Sequence, residues 1–495
     1  MQPENARYDA FAYPGYSYPN THPDRLAVMA ILHGISPVPV NHARVLEIAC
    51  GDGANVIPLA YAMPTSEFVG FDLAQLPVER AQACIRTLGL KNIRIFQGDL
   101  LELGADLGQF DYIIAHGLYA WVPKPVRDRL LALCSELLSS NGVAFVSYNA
   151  LPGSYLRLMT REMMKFRAGD SADPQESVKA GLDFVQWLVS FRPEKDAFRA
   201  LLDENLTRLK EHHPAATYHD ELSPEYRPVY ITEFVEHARE HGLMYLSEAE
   251  IPLAPDPSYR ADLQPTLNAV AGGDPVRKEQ ALDFLRFRPY RETLLCKAGM
   301  PVRTDYFPES FANLMLASQA VSEPGEQPNS RNIKVAGGVK METSHPAVIW
   351  LLEELGKAWP RALSVRELLP QLEALGLKLD NAGALILVRL AIVQVIELRT
   401  WNAAFAESIS ERPRASAYAR EQARHAPIAT TFLHSSIKLD DPRVHALLLL
   451  LDGTRTRVDL LAALRAQFPQ TPAAEIEEGI EPSLRNFYEA GVLEA

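Results

Sequence analysis

The sequence predicts an α/β protein built on a doubly wound, largely parallel sheet, with helix-rich units following it. Three observations carry this expectation. Short apolar runs alternate with helical stretches from Val45 to about Asn149, a glycine-containing turn follows the first run, and acidic residues close three successive runs.

The runs RVLEIAC, EFVGFDL, IRIFQGDL, FDYIIAHG and VAFVSYN are strand-like, and PVERAQACIRTLG and VRDRLLALCSELLS between them have helical spacing. Sheets of this kind bind ligands at the carboxyl ends of their strands. Residues 153–215 carry apolar residues at helical spacing and no strand signal, as in VKAGLDFVQWLVSF, which predicts a helical region. Residues 216–300 read as an α+β middle unit. There a helix around TEFVEHARE closes on Gly242 before the strand-like LMYLSEAEI, and a further helix, VRKEQALDFLRFRPY, leads into RETLLC. Residues 301–345 include a stretch rich in Pro, Gly, Ser and Asn, the composition of a linker or hairpin. Residues 346–410 resemble a winged helix, with Ser364 and Glu367 spaced as a capping box. Residues 411–495 read as a helical domain with Asp452-Gly453 as a turn and Gly491 as a stop.

Composition narrows the function. A chain of 495 residues that is 47% hydrophobic has ample core, and its net charge of -13 opposes general attraction to nucleic acid. Residues 341–495 hold 16 Lys plus Arg against 20 Asp plus Glu, so the winged-helix-like part lacks the sign of a phosphate-tracking surface. No run of about 20 apolar residues is present, and the first residues, MQPENARYDAF, lack a signal-peptide pattern, which predicts no membrane insertion and a cytoplasmic location. Cys50, Cys84, Cys134 and Cys296 have neither disulfide nor thiolate-zinc spacing. His212, His213, His219, Asp220 and Glu221 offer no i, i+4 histidine pair, so no metal site is expected.

The chemistry concentrates at residues 45–55, VLEIACGDGAN. Gly51 and Gly53 let the backbone turn tightly and approach a ligand, with Glu47 at the strand end. Asp72 closes the next strand, placed to accept hydrogen bonds from ribose hydroxyls, and Asp99 closes the third, available to an adenine amino group. A turn holding Glu47 and Asp52 without a basic residue repels pyrophosphate, which points to a nucleoside without phosphates.

These residues resemble a class I S-adenosylmethionine-dependent methyltransferase, a Rossmann-like fold. The family's E/D-x-G-x-G-x-G turn maps onto Glu47, Ala49, Gly51 and Gly53, with Ala49 replacing the first glycine. Flanking segments, namely YPNTHPDRLAVMAILHG, HGLYAWVP, SYNALPG and the block from Tyr218 to Ile251, resemble bacterial methyltransferases that carry a methyltransferase regulatory domain. The best understood of these are outer-membrane-protein lysine methyltransferases. The resemblance implies a methyltransferase domain over residues 1–152, a dimerisation-type region over 153–215 and a regulatory domain over 216–300. It further implies a polypeptide substrate, a homodimer, and S-adenosylmethionine held by Tyr18, His22, Glu47, Ala49, Cys50, Gly51, Gly53, Asn55, Asp72, Leu73, Asp99, Leu100, His116 and Gly117.

Two groups keep two readings each. Tyr13, Tyr16, Tyr18 and His22 either fold over the cofactor or pack the following helix onto the sheet. His116, Tyr119 and Trp121 either face the methyl acceptor or serve cofactor contact and loop packing, with His116 as the evident group titrating near neutrality. The stretch IIAHGLYAWVP also lacks the Asn/Asp-Pro-Pro-Tyr/Phe pattern with which related enzymes hold a planar base or amide nitrogen. Protein lysine methylation is the leading expectation. A small-molecule methyltransferase and a non-catalytic cofactor-binding regulator are the alternatives.

Overall fold

A computed structural model describes residues 11–168, 173–251, 263–304, 307–335 and 338–495; residues 252–262, within the expected middle unit, lie outside the described residues. Five parallel strands arise from the alternating region: β1 (Arg44–Ile48), β2 (Glu67–Asp72), β3 (Ile93–Gln97), β4 (Phe110–Ala115) and β5 (Leu138–Asn149). Two more, β6 (Leu243–Glu248) and β7 (Tyr290–Lys297), join the same sheet in the order β3-β2-β1-β4-β5-β7-β6, with β7 antiparallel to both of its neighbours. The block expected as a separate middle unit therefore completes the first sheet.

Side chains alternate between the two faces as strand geometry dictates. Val45, Phe68, Tyr112, Val143 and Leu294 face a core shared with α1 (Pro23–Leu32), α2 (Val56–Ala62) and α3 (Gln75–Leu88). Leu46, Val69, Ile113, Ala144 and Leu295 face the core under α4 (Lys124–Leu137). The helices α5 (Ser154–Ala168), α6 (Pro174–Ser190), α7 (Ala197–Glu211) and α8 (Pro214–Glu221) follow β5, with the Asp173 and Asp196 side chains capping α6 and α7. Next, α9 (Ile231–Glu240) inserts Phe234, Val235 and Ala238 into the α4-side core, and α10 (Leu263–Ala271) and α11 (Pro275–Arg286) precede β7. Arg291 on β7 is fully buried and ion-paired to Glu248, Glu279 and Asp283 at 2.8, 3.0 and 2.7 Å, which satisfies the charge inside the fold.

The segment after residue 300 is more regular than its composition suggested. β9 (Val321–Pro324), β10 (Arg331–Lys334) and β11 (Lys340–Thr343) form an antiparallel meander. A second small sheet joins β8 (Met315–Ala317), β12 (Leu363–Ser364) and β13 (Glu397–Arg399) beside α12 (Pro346–Ala358), α13 (Val365–Ala374) and α14 (Asn381–Ile392). Ser364 stands at the start of α13 without a side-chain cap bond, so the expected capping box is not formed. The last unit holds α15 (Ala417–Ala423), the pair β14 (Ile428–Thr430) and β15 (Ser436–Lys438), α16 (Pro442–Leu450), α17 (Arg457–Gln467) and α18 (Ala473–Glu489).

That last unit folds back onto the ligand end of the sheet. Asp24 at the start of α1 accepts from the Thr400 amide at 2.8 Å, the Ala417 amide donates to the Tyr61 hydroxyl at 3.0 Å, and the Tyr418 hydroxyl donates to the Ala54 carbonyl at 3.3 Å. Tyr418 and Ala54, 364 positions apart in sequence, thus meet at the turn after β1.

Candidate active site

The turn after β1 is built around left-handed backbone. Ala49, Gly51 and Gly53 have φ of 58, 54 and 76°, and Gly53 is packed so tightly that a Cβ would lie 2.7 Å from Ile57. Gly51 is the opposite case, because a Cβ there would meet nothing within 4 Å. Its backbone borders open space, as a ligand-facing glycine should. Ala49 holds its left-handed conformation without being glycine, which costs about 1 kcal/mol.

Two carboxylates border this turn and a third lies at the neighbouring strand end. Asp72 at the end of β2 accepts from the Gly51 amide at 2.9 Å and from the Ala74 amide at 2.8 Å, which fixes it against the turn. Asp99 follows β3 and accepts from the Leu101 amide at 2.9 Å, while the Gly98 amide bonds the Asp72 carbonyl at 2.9 Å and sets the two strand ends side by side. Leu73 is 41% exposed and Leu100 is buried, so they border the recess differently. Glu47 is buried with one oxygen bonded by Asn55 at 2.8 Å and the other without a partner. Burial, reinforced by Asp52 and Asp72, pushes its carboxyl up to about 8. A buried carboxylate oxygen lacking a donor, beside an open glycine turn, suits the ammonium of an amino-acid moiety such as that of S-adenosylmethionine.

Cys50 nests against Gly70, where a Cβ would come within 2.9 Å of its sulfur; its contribution is packing under the turn. Asn55 works as a junction. Besides bonding Glu47, its side-chain oxygen accepts from the Tyr18 amide, the Thr21 hydroxyl and His434 at 3.0, 3.0 and 2.8 Å. The last unit therefore reaches the Glu47 carboxylate through a single amide. His22 does not face the ligand recess. Its Nδ1 caps α1 at the Asp24 amide, its ring lies 6.2 Å from Trp401 and 5.5 Å from His434, and burial lowers it to about 3.

Residues 13–18 lie across the site. A Cβ on Gly15 would stand 2.4 Å from Asp52, and the Tyr13 ring is 6.0 Å from His219. The Tyr18 ring packs 3.9 Å from His116. Of the two readings for this cluster, Tyr18 fits the covering role, His22 the packing role.

The segment after β4 splits. Gly117, with φ of 67° and open space where a Cβ would be, donates to the Ser147 hydroxyl at 2.8 Å. His116 lies 3.2 Å from the same hydroxyl and 3.5 Å from that of Tyr290. Desolvation lowers His116 to about 4, so it is a neutral ring and not the group titrating near neutrality that the sequence suggested. Tyr119 and Trp121 turn away from it. The Tyr119 hydroxyl bonds His237 at 2.8 Å and its ring meets Phe234 edge-on at 5.0 Å, while Trp121 packs at a tilt 4.6 Å from Tyr226 under Arg157 and Arg161. The acceptor-side reading of Tyr119 and Trp121 is thereby replaced by packing.

Tyr290, missed in the sequence, joins His116 instead, and the charges of Glu292 and Asp220 act on its phenol. Tyr290 enters because β7 pairs antiparallel with β5, in register Asn149↔Tyr290. Burial raises the phenols of Tyr18 and Tyr290, and the negative charge of Asp220 acts on both; Asp220 itself is held by Arg157 at 3.1 Å. Glu292, two residues along the same face of β7, accepts from the Asn20 amide at 2.6 Å. Desolvation, with Glu250 and Glu248 nearby, raises it to about 7. Tyr290, Glu292, Glu248, Glu250 and Arg288 line a cleft of about 230 Å³ beside the recess. A cluster away from this site, Asp128, His237 and His241, brings its donor atoms within 4.8 Å of one another.

Comparison with known proteins agrees with this geometry. A methyltransferase domain family matches residues 45–142, the family described as "Predicted methyltransferase regulatory domain" matches 214–297, and "PKMT, C-terminal winged helix domain" matches 411–482. The last of these falls within residues 411–495, read from the sequence as a helical domain, beyond the 346–410 unit that resembles a winged helix. Uncharacterized protein RP789 of Rickettsia prowazekii is 35% identical over 300 residues, covering 60% of this chain and 53% of that protein. Uncharacterized protein RP028 of the same organism is 32% identical over 235 residues, covering 47% of this chain and 93% of that protein. The alignment thus spans about half the length of the first relative and nearly all of the second. The solved structure of PKMT2 from Rickettsia typhi in complex with AdoHcy superposes with a TM-score of 0.85 at 22% identity, covering 97% of this chain and 99% of that chain, a likeness of fold. With the glycine turn, the strand-end acids and these matches together, the chain belongs to the class I S-adenosylmethionine-dependent methyltransferases that carry a methyltransferase regulatory domain.

Proposed function

We propose that this chain transfers methyl groups from S-adenosylmethionine to lysine side chains of a protein substrate. The observation that carries the reading is the acceptor side of the recess: the neutral His116 ring and the Tyr18 and Tyr290 rings converge beside Gly117, with the carboxylates of Asp220 and Glu292 close by. Aromatic faces and buried carboxylates attract a lysine ammonium and its partly methylated forms. The solved relative's name, PKMT2, and the "PKMT" winged-helix match support the same substrate class.

When bound, S-adenosylmethionine supplies an electrophilic methyl group whose transfer breaks its bond to sulfur and leaves the electron pair there. Glu47 would hold the amino-acid part of that cofactor and Asp72, fixed by the Gly51 amide, its ribose, and Asp99 would take the adenine side. Residues 15–18 cover the turn and exclude water, which leaves the acceptor aligned within a dry recess. Glu292 is assigned to accept the lysine proton because it shares a face of β7 with Tyr290 and lines the cleft beside it, where burial raises its carboxyl to about 7. Incubating the purified chain with isotope-labelled cofactor and a bacterial extract tests the proposal. Label on protein lysines is expected, and label confined to a metabolite would overturn it.

The finer expectations follow as part of the same proposal. A homodimer through α5 and α6 is supported by a ladder of Phe166, Phe184, Trp187 and Phe191, with ring separations of 5.6, 5.7 and 5.0 Å and exposures of 80% at Phe166 and 73% at Phe191. Trp187→Ser combined with Phe191→Ser is expected to halve the mass measured by light scattering. Among the described residues no helix is long and apolar enough to cross a membrane. Four unpaired cysteines suit the reducing cytoplasm inferred from the sequence. The divisions at about residues 152, 215, 300, 345 and 410 are proposed as sequence boundaries, with the strands of 216–300 sharing the first sheet.

A further inference from the structure

We propose that Asp128, His237 and His241 form a binding site for a divalent transition-metal ion of the zinc type, which fastens α9 to α4. His237 and His241 stand four residues apart at the end of α9, so both rings project on one side of the helix, with centroids 5.2 Å apart. Asp128 reaches them from α4. Its carboxylate already lies 2.9 Å from His237 Nε2, and the three donor atoms fall within 4.8 Å of one another. Two imidazoles and one carboxylate, with a water as fourth ligand, make a usual donor set for Zn²⁺, and the nitrogen ligands disfavour Mg²⁺ and Ca²⁺.

The surroundings orient the ligands as metal sites require. The Tyr119 hydroxyl bonds His237 Nδ1 at 2.8 Å, which points Nε2 at Asp128 and fixes the ring. Tyr119 is itself locked between Phe234 and Tyr148. The group competing for Asp128 is Lys124, bonded to both carboxylate oxygens at 2.8 and 2.9 Å, but its side chain is 71% exposed and can swing into water. The ligands come from two segments distant in sequence, one inside the region matched by the methyltransferase domain and one inside the region matched by the regulatory domain. A bound ion would therefore join the two.

The test uses the full-length chain, freed of any affinity tag and stripped of metal, titrated with Zn²⁺ and separately with Co²⁺. One ion per chain is expected, with a cobalt spectrum of low coordination number and an unfolding temperature that rises with Zn²⁺ and falls again with chelator. His241→Ala and Asp128→Asn should each weaken Zn²⁺ binding by about 10- to 100-fold. The paired variant His212→Ala with His213→Ala should leave it unchanged. Failure to bind Zn²⁺, or affinity indifferent to both His241→Ala and Asp128→Asn, would overturn the proposal. His241 ends the helix at a half-buried position, so its variant is expected to fold, and circular dichroism of the metal-free form checks this.

Discussion

Replacing Glu47 by Gln separates the stability of the ligand-free chain from its affinity for cofactor, because the two should move in opposite directions. The carboxyl is buried and raised from the usual 4.5 to about 8, so the folded state holds a proton that the unfolded chain releases. For an acid raised in this way, stability is fully present below pH 4.5 and is lost progressively as pH rises to about 8. At 1.36 kcal/mol per tenfold change in proton affinity, the penalty is about 3 kcal/mol at pH 7. Gln cannot ionise and escapes it. Its Oε1 can keep the bond from Asn55, but its amide donates where the unpartnered oxygen was, which returns about 1–3 kcal/mol. The net gain at pH 7 is therefore small, whereas the difference between variant and wild type should grow by about 3 kcal/mol between pH 5 and 8 as the amide term cancels. Urea unfolding of both proteins across that range reads it directly. Cofactor affinity, measured by calorimetry, should fall by about 10- to 100-fold for loss of one charged hydrogen bond. A stability difference that stays flat with pH, or cofactor binding at wild-type strength, would refute the reasoning.

The remaining predictions concern the acceptor side and the framework. Glu292→Gln should leave cofactor binding intact while lowering the transfer rate at pH 7 and removing the rise of rate with pH through about 7, seen in a pH–rate profile. Tyr119→Phe loses the bond to His237 and should cost about 1 kcal/mol in stability with transfer within a few-fold of wild type, which distinguishes packing from catalysis. Arg291→Met leaves the buried Asp283 and Glu248 with only the longer contacts to Arg288, at 3.4 and 3.7 Å, and should cost about 3 kcal/mol, read as a drop in the urea midpoint.

What the sequence made legible were features that local order alone defines. Glu47, Asp72 and Asp99 close consecutive strands, and Gly51 and Gly53 sit where left-handed backbone is needed, so the turn and the acids after the strands could be placed from the sequence alone. The acceptor side could not, since Tyr290 and Glu292 lie some 170 residues from His116 and arrive only through the antiparallel pairing of β7 with β5. Charge state was equally hidden. His116 looked like a titrating group, yet burial makes it neutral, and the group near 7 is a glutamate whose environment is assembled from three separate segments. Tyr119 and Trp121 share a turn with His116 but diverge once the short helical turn at Tyr119–Trp121 rotates their side chains toward α9 and Tyr226. The His237–His241 spacing was visible in TEFVEHAREHG, and only its third partner, Asp128, required the fold.

The central claim is that lysine side chains of a protein receive the methyl group. Tandem mass spectrometry of extract proteins after incubation with the chain and cofactor carrying a deuterated methyl tests it most directly. The account predicts deuterated methyl-lysine in discrete proteins, abolished by Asp72→Ala and reduced by Glu292→Gln. Deuterium found on a small molecule with none on protein lysine would contradict it.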